Sequence, residues 1–341
     1  MKKFTGYMAG ANLGHWISQY EDKGKEHWDT YIQEPDFERM KSWGLDHVRL
    51  PVDYMLFESD DKPCVYDEER LGYIDRTLEW CKKYGLNLVL DLHHAPGFFF
   101  GNDGRNDLFT SVTSHDRYLA IWRMFSKRYQ AEGDNLVFEL LNELKWENSD
   151  PWNALWLETA KEIWAISPQR RVIIGSNNSA NIAALKDLSS VADDRIIFTF
   201  HMYEPCVFTH QLCGWVEGTE KQTEQVPFPF AEADQASFYT GIGQKVPFEG
   251  YGIVDETYLE DYVKRAADYS EQHNQMMYCG EYGVYCAAER QSTLNWLNAV
   301  ANIMTRHGIG RAVWSYRGFS SITSPDNKTF DADMVAAIAR H

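Results

Sequence analysis

Two glutamates in this sequence stand where a carboxylate can do chemistry. Glu143, preceded by Asn142, closes the apolar run of residues 135–141, and Glu281 follows the apolar run of residues 276–280. Hydrolysis of a glycosidic bond uses two carboxyl groups that face each other across a cleft. One carboxyl protonates the leaving oxygen and the other attacks the anomeric carbon, so this pair is a candidate for that chemistry.

Both glutamates belong to a larger set of polar or aromatic residues that follow short apolar runs. A lone polar residue at the end of a strand is often a satisfied structural group, and an ion pair with Arg49 is the structural alternative for the two glutamates. The whole set is harder to explain in that way, because every buried polar group costs desolvation free energy. Its members are Asn12, His15, Arg49, Asp91, His93, His94, Asn142, Glu143, Asn177, Asn178, His201, Tyr203, Glu281 and Trp314.

Eight apolar runs position these residues. Each run is continuously apolar rather than alternating, which is typical of strands that are covered on both faces. Stretches with helical periodicity follow most of the runs, as in residues 67–85, where Leu71, Ile74, Leu78 and Cys81 share one face. The runs span residues 7–13, 46–52, 87–92, 135–141, 171–175, 195–200, 276–280 and 310–316.

Eight strand–helix alternations predict a parallel sheet closed into a (β/α)8 TIM barrel, with residues 1–341 forming a single catalytic domain. In such barrels the chemistry lies at the carboxyl ends of the strands, which is where the polar set falls. About residues 206–255 interrupt the alternation after strand six, and they far exceed the usual connection of about 2–6 residues. We expect this aromatic-rich insertion to fold over the barrel mouth as a lid or a wall of the binding cleft.

Composition restricts the partners. A formal net charge of −17 argues against nucleic acid or an anionic membrane, because phosphate binding needs clustered Lys and Arg. No apolar stretch approaches the roughly 18 residues that span a membrane, and none resembles the apolar core of a signal peptide. The six cysteines lack metal-ligand spacing and predict free thiols. We therefore expect a cytoplasmic monomer, or a secreted one if a leader has been removed.

The motifs resemble those of glycoside hydrolase family 5, in the clan of retaining β-glycanases. The stretches that carry the resemblance occur in the family's order across nearly the whole chain: ANLGHWISQY, DHVRLPVDY, DLHHAPG, FELLNE, HMYEP, CGEYGV and AVWSY. DRTLEWCKKYGL, LVLDLHHAPG and FTHQ followed by a Trp are most similar to a compact clostridial endoglucanase of this family. That relative also carries an inserted subdomain after strand six.

The resemblance implies catalytic roles for the matching residues. Glu143 would be the acid/base and Glu281 the nucleophile, since the family carries these groups after strands four and seven. Arg49 and Tyr203 would hold Glu281 ionised and oriented. His201 would support Glu143.

The resemblance also implies a set of sugar-binding residues. Asn142 would hydrogen-bond the 2-hydroxyl of the sugar at the cleavage site, and Trp314 would form the floor under the same ring. His93 would touch the region of the 3-hydroxyl, with His94 in the same binding or supporting set. Glu204 stands where the clostridial relative has an uncharged residue, so we expect its carboxylate to bind a sugar hydroxyl or to select the chain end.

The sequence thus predicts a retaining β-glycoside hydrolase that acts on β-linked glucans or their oligosaccharides, with no cofactor and no metal. The first expectation is an endo-β-1,4-glucanase, either a cellulase or a mixed-linkage glucanase. An exo-acting β-1,3-glucosidase or a β-mannosidase that acts on short imported oligosaccharides is the alternative, because the family's activities share the same site residues. A metal-dependent barrel hydrolase is a more distant alternative, since Asp91, His93, His94 and His201 could ligate an ion together with the glutamates. A sugar-binding protein without activity is opposed by the presence of both carboxylates.

Overall fold

Eight parallel strands close into a barrel in the computed structural model, which describes residues 2–19, 24–100, 106–318, 322–324 and 327–341. The predicted TIM barrel is confirmed, because each strand overlaps one of the eight predicted runs and β1 pairs with both β2 and β8. The strands are β1 Ala9–Asn12, β2 His47–Asp53, β3 Asn87–His94, β4 Leu136–Glu139, β5 Val172–Gly175, β6 Ile196–Met202, β7 Met276–Tyr282 and β8 Gly310–Val313.

Helices surround the barrel and bury one face against it. In α3 the predicted face is buried, the side chain of Asp67 accepts a hydrogen bond from the backbone N–H of Arg70, and Gly85 ends the helix at a φ of 66°. The helices are α1 Gly24–Thr30, α2 Glu34–Ser42, α3 Glu68–Tyr84, α4 Val112–Arg128, α5 Asp150–Ile166, α6 Glu232–Gly241, α7 Glu256–His273, α8 Arg290–Arg306 and α9 Ala332–Ile338. None of the helices in the described part of the chain has the length and apolarity needed to cross a membrane.

Short elements complete the connections. The link after β5 contains a tight turn and a 3-10 helix instead of a long helix, so this strand departs from the strand–helix alternation. These elements are the one-turn helices Asn177–Ala180 and Cys206–Thr209, the 3-10 helices Tyr54–Leu56, Ile182–Asp187 and Thr219–Lys221, and the paired strands Glu58–Ser59 with Lys62–Tyr66 and Phe230–Ala231 with Ile253–Val254.

The chain between β6 and α7 forms a small layer of its own. Its aromatic side chains are mostly buried against one another, as Phe230 and Tyr239 are against Phe248, and Phe248 in turn contacts Tyr258 of α7. Trp215 differs, because 58% of its surface is exposed. The layer is therefore anchored by its own apolar core on the barrel's outer helices, and one large ring remains on its surface.

The amino-terminal end of the barrel contains three hydrogen-bonded polar residues that restrict the packing of β1. The ring of His47 lies 2.7 Å from Asp46 Oδ1 through Nδ1 and 2.8 Å from the Tyr278 hydroxyl through Nε2. A Cβ atom on Gly10 would lie 2.4 Å from this ring. Because both ring nitrogens are engaged, the imidazole cannot move aside without losing a buried hydrogen bond.

We predict that Gly10→Ala lowers the free energy of unfolding by about 2–3 kcal/mol, since the added methyl overpacks a fixed ring. Gly72→Ala is the matched control, because Gly72 lies inside α3 and a Cβ there meets no atom within 4 Å. We expect that control to stabilise the protein by about 0.5–1 kcal/mol. Urea unfolding of both variants measures the difference. Equal changes in the free energy of unfolding would contradict the proposed overpacking of the His47 ring.

Candidate active site

Arg49 forms the centre of a buried polar network at the carboxyl end of the barrel. Its guanidinium donates to both carboxylate oxygens of Glu139 at 2.7 and 2.9 Å, and to Oδ1 of Asn12, Oδ1 of Asn142 and Oε1 of Glu281, each at 2.9 Å. The side chain is fully buried. A buried charge is tolerated only when it is paired and hydrogen-bonded. Here the N–H groups of the planar guanidinium all donate to oxygen atoms.

Glu281 receives hydrogen bonds on both carboxylate oxygens. Arg49 donates to Oε1 at 2.9 Å and the Tyr203 hydroxyl donates to Oε2 at 2.8 Å. Burial raises the pKa of the Glu281 carboxyl, whereas His201, Arg49 and Tyr203 oppose that rise by favouring the carboxylate. These contacts fix the orientation of the carboxylate, and Glu281 lines the cleft, as a nucleophile must.

Glu143 lies in a different environment from Glu281. Nδ1 of His201 lies 2.8 Å from Oε1 of Glu143, and the Glu143 backbone has a φ of 41°, a left-handed conformation that glutamate rarely adopts. Burial raises the pKa of the Glu143 carboxyl to about 7, and Arg49 opposes the rise. Such a carboxyl still holds its proton near neutral pH, which suits a general acid.

The two carboxyl groups are close enough for one sugar ring to react with both. One oxygen of Glu143 and one of Glu281 lie within 4.8 Å of each other. Retaining glycosidases place their carboxyl groups about 5–5.5 Å apart, whereas inverting enzymes leave about 6.5–9.5 Å for a water molecule. The short separation therefore corresponds to double displacement with retention of configuration.

A cleft of about 590 Å³ opens above these carboxylates. Trp314 and His93 stack with their ring centroids 5.6 Å apart and their planes 8° apart, which gives a flat platform on one side. Nε2 of His93 and Nδ2 of Asn142 are buried and have no hydrogen-bond partner among the described residues. Both residues line the cleft, so these polar atoms are available to the hydroxyl groups of a ligand.

The cleft brings together most of the predicted site residues and adds others from neighbouring loops. Those predicted and found at the wall are His15, His93, Asn142, Glu143, Tyr203, Glu281 and Trp314, while Arg49 and His201 lie directly beneath them. The remaining lining residues are Gln19, Tyr31, Phe100, Thr209, His210, Trp215, Gly283, Val284, Tyr285, Gly318 and Asn327.

Glu204 does not line the cleft, so the expectation that its carboxylate contacts a bound sugar there is wrong. Its carboxylate accepts a hydrogen bond of 3.3 Å from the Tyr258 hydroxyl on α7, outside the cleft. Side chains alternate along an extended chain, so when His201 and Tyr203 point into the barrel, Glu204 points to the outer layer. The extra carboxylate belongs to the contact between barrel and helix.

His94 also lies behind the cleft wall. Its Nδ1 lies 2.8 Å from Oδ1 of Asp53, and its ring stacks on Phe100 with a centroid distance of 4.7 Å. Phe100 lines the cleft whereas His94 does not. A supporting role for His94 through Phe100 stays a prediction.

Glu139 is a member of the network that sequence reasoning did not single out. It lies within the apolar run of β4, and its bidentate contact makes it the most extensive single partner of Arg49. A carboxylate inside a continuously apolar strand was the available signal, because such a group must meet a buried cation.

The ligand atoms for a metal-dependent alternative are already engaged with other groups. One atom each of Glu143, His201 and Glu281 lie within 4.8 Å of one another, close enough to share an ion. The Glu281 carboxylate accepts from the guanidinium of Arg49, so a cation there would share it with a fixed positive charge. Repulsion from this guanidinium makes the three residues a poor cation site.

A barrel with two carboxyl groups at this separation, a stacking platform and an open cleft defines a retaining glycoside hydrolase. Residues 12–320 match the cellulase family, glycosyl hydrolase family 5. The chain is 39% identical to Endoglucanase C of Acetivibrio thermocellus, over 98% of this chain and 99% of that protein. It is 32% identical to Cellodextrinase A of Ruminococcus flavefaciens, over 94% and 89% of the two chains.

The same fold is seen in the solved structure of the endoglucanase Cel5A of Thermotoga maritima. That structure superposes with a TM-score of 0.80 at 24% identity and covers 99% of this chain and 100% of its own. The chain therefore belongs to glycosyl hydrolase family 5 and is a glycoside hydrolase. The resemblance to this family and to a compact clostridial endoglucanase is confirmed.

The raised pKa of Glu143 predicts how stability depends on pH. The folded protein retains a proton that the unfolded chain releases between pH about 4.5 and about 7, so this contribution is complete below that window and is lost as pH rises through it. We expect Glu143→Gln to gain roughly 2–3 kcal/mol of stability relative to the parent protein between pH 4 and pH 8.

Urea unfolding at both pH values measures this change. Glu79→Gln, at an exposed position of α3, is the control and should show no such gain. An equal gain in stability for the two variants would show that the proton retained on folding is not on Glu143.

Proposed function

We propose that this protein is an endo-β-1,4-glucanase that hydrolyses β-linked glucans and their oligosaccharides by double displacement. The observation that carries the mechanism is the separation of at most 4.8 Å between oxygens of Glu143 and Glu281. The substrate class rests on the endoglucanase and cellodextrinase relatives, which align with nearly the whole chain. β-1,3-Glucosidase and β-mannosidase activities are the alternatives to be tested.

In the first step the sugar ring lies over Trp314 and Glu281 attacks the anomeric carbon. The bond from the anomeric carbon to the leaving oxygen breaks, and Glu143 transfers its proton to that oxygen. Arg49 and Tyr203 aim the attacking carboxylate along a fixed direction, which removes the entropic cost of orienting it. The product of this step is a glycosyl ester of Glu281.

The second step reverses the role of Glu143. Two carboxylates this close oppose each other's ionisation, as the charge of Glu143 does for Glu281. Esterification removes the negative charge of Glu281, which makes ionisation of Glu143 more favourable. The ionised Glu143 then accepts a proton from the water that attacks the anomeric carbon. The ester bond to Glu281 breaks, Glu281 leaves as a carboxylate, and the sugar is released with its configuration retained.

Walls on both sides of the carboxylates support cleavage within a chain. His15 and Tyr31 line the cleft on the side of β1, whereas His210, Trp215 and Tyr285 line it on the side of β7 and the segment after β6. Sugar units can therefore bind on both sides of the cleavage point. An enzyme that releases only terminal sugars needs one of these ends to be closed.

Product analysis on cello-, laminari- and manno-oligosaccharides of equal length tests the proposed substrate. Cellohexaose should be cleaved fastest and give internal products of several lengths. Release of monosaccharide alone would establish exo action. Faster turnover of the laminari- or manno-oligosaccharides would show that β-1,4-glucan is not the preferred substrate.

We also propose that the protein acts as a monomer in a reducing compartment. All six cysteines lie within the described residues and form no disulfide, and Cys64 and Cys286 are exposed. Exposed free thiols persist where the surroundings keep them reduced. Light scattering and cell fractionation test the two parts separately.

We predict that azide restores turnover to Glu143→Ala on an aryl cellobioside with a good leaving group, and that the product is the β-glycosyl azide. Such a substrate departs without a proton, and azide replaces the water that needs a general base. Glu281→Ala should instead yield the α-azide, because the small anion then attacks from the vacated side. NMR of the two products distinguishes these results, and the same anomer from both variants would refute the assignment.

Trp215 provides a separate test of the cleft wall beyond the reacting sugar. We expect Trp215→Ala to raise KM for cellopentaose by about fivefold to tenfold, because an exposed ring offers stacking area of about 1 kcal/mol to a sugar face. Trp215→Phe keeps a ring and should lose less. Neither variant should change KM for an aryl glucoside, and an equal loss on both substrates would contradict a remote contact.

A further inference from the structure

Asp91 occupies a position between the central guanidinium and the sugar platform. This residue of β3 is completely buried, and its Oδ2 lies 3.0 Å from Nη2 of Arg49 and 2.7 Å from Nδ1 of His93. Both contacts fall on the same oxygen. Oδ1 has no hydrogen-bond partner among the residues that the structure describes.

The charge of Arg49 determines which oxygen of Asp91 can carry a proton. Burial raises the pKa of Asp91 to about 7 although Arg49 opposes the rise, so the carboxyl takes up a proton near neutral pH. A guanidinium 3.0 Å away repels a proton on Oδ2, so the proton resides on Oδ1 whenever one is bound. Oδ2 is then an acceptor in either state, and Nδ1 of His93 must carry the hydrogen that joins them.

The other nitrogen of His93 is therefore bare. Burial and the nearby Arg49 lower the pKa of His93 well below its usual value, so the ring is neutral and has a single N–H. With that hydrogen on Nδ1, Nε2 is a pure acceptor. It lies in a ring that lines the cleft and is stacked on Trp314.

Arg49 orients the amide of Asn142 so that it offers a hydrogen-bond donor to the cleft, whereas His93 offers an acceptor. The guanidinium donates to Oδ1 of Asn142 at 2.9 Å, so the amide Nδ2 group is directed away from it and has no partner in the described part of the chain. The cleft thus presents one donor from Asn142 and one acceptor from His93. A single buried cation specifies the polarity of both contacts.

We propose that Asp91 is a positioning residue that fixes the tautomer of His93, so that the cleft offers the sugar over Trp314 a hydrogen-bond acceptor. The nature of that ligand rests on the proposed function, whereas the tautomer does not. The hydroxyl beside His93 must then donate. Fluorine accepts weakly and cannot donate, so replacing that hydroxyl by fluorine removes the contact.

The tautomer can be read in the free enzyme without any substrate. Long-range 1H–15N spectra of protein labelled at histidine nitrogen distinguish a protonated from a bare ring nitrogen, and His93→Gln assigns the signals. We expect Nδ1 protonated and Nε2 bare between pH 6 and pH 8. A protonated Nε2 in this range overturns the proposal, whatever the substrate proves to be.

Two substitutions test the role of Asp91 in turnover. Asp91→Asn keeps an acceptor, because its amide oxygen rather than its NH2 group will face Arg49, whereas Asp91→Leu has similar volume and no acceptor. The parent enzyme should prefer an aryl cellobioside with a 3-hydroxyl on the reacting sugar over its 3-deoxy-3-fluoro analogue by at least about tenfold in kcat/KM. We expect Asp91→Asn to retain most of this ratio and Asp91→Leu to reduce it at least about fivefold.

The ratio isolates the contact, because the electronic effect of fluorine on the reaction is the same in every variant. A full ratio in Asp91→Leu, or an equal loss in both variants, overturns the role of Asp91. If Asp91→Leu does not fold, the tautomer of His93 in the parent enzyme and in Asp91→Asn decides whether Asp91 fixes it. Absence of turnover of glucosides by the parent enzyme would refute the proposed function and leave the tautomer result standing.

Discussion

The burial of one guanidinium with an excess of carboxyl groups is the constraint on which this structure depends. Arg49 contacts the carboxylates of Asp91, Glu139 and Glu281, and Glu143 lies beside Glu281. One positive charge cannot compensate four negative charges in a site of low dielectric constant. Burial raises the pKa of all four carboxyl groups, neighbouring carboxylates add to that rise, and Arg49 opposes it. An acid that works near neutral pH follows from this burial together with the excess of negative charge.

The barrel makes such a cluster possible because its axis is where several strands converge. Asn12, Arg49, Asp91, Glu139 and Glu281 come from five different strands, and their side chains meet inside one ring of backbone. The backbone amides and carbonyls are already paired between strands, so the interior has few other polar groups to compensate a charge. The apolar layers below and the helices outside hold the ring together and leave its carboxyl end open to the cleft.

Much of this arrangement could be predicted from the sequence, because the strand period and the polar residues at strand ends are local features. The eight runs located the strands, and Glu143 and Glu281 stood out as carboxylates at their ends. The direction in which each side chain points was harder to predict. Glu204 was expected in the cleft, but alternation turns it outward, and Glu281 is paired with His201 only because the register shifts at Gly280. A one-residue shift reverses the face of every later side chain, and only the folded sheet specifies where it occurs.

Tyr203 connects the segment after β6 to the catalytic network. The hydroxyl of Thr209 donates to the carbonyl oxygen of Tyr203, the ring of His210 meets the ring of Tyr203 at 4.9 Å, and the Tyr203 hydroxyl holds the nucleophile Glu281. Thr209 and His210 also line the cleft. A sugar bound against this wall would contact the residues that hold Tyr203, so binding far from the scissile bond can affect the orientation of the nucleophile and hence turnover. The core of the segment packs elsewhere, so its outer wall can vary without disturbing the charges around Arg49.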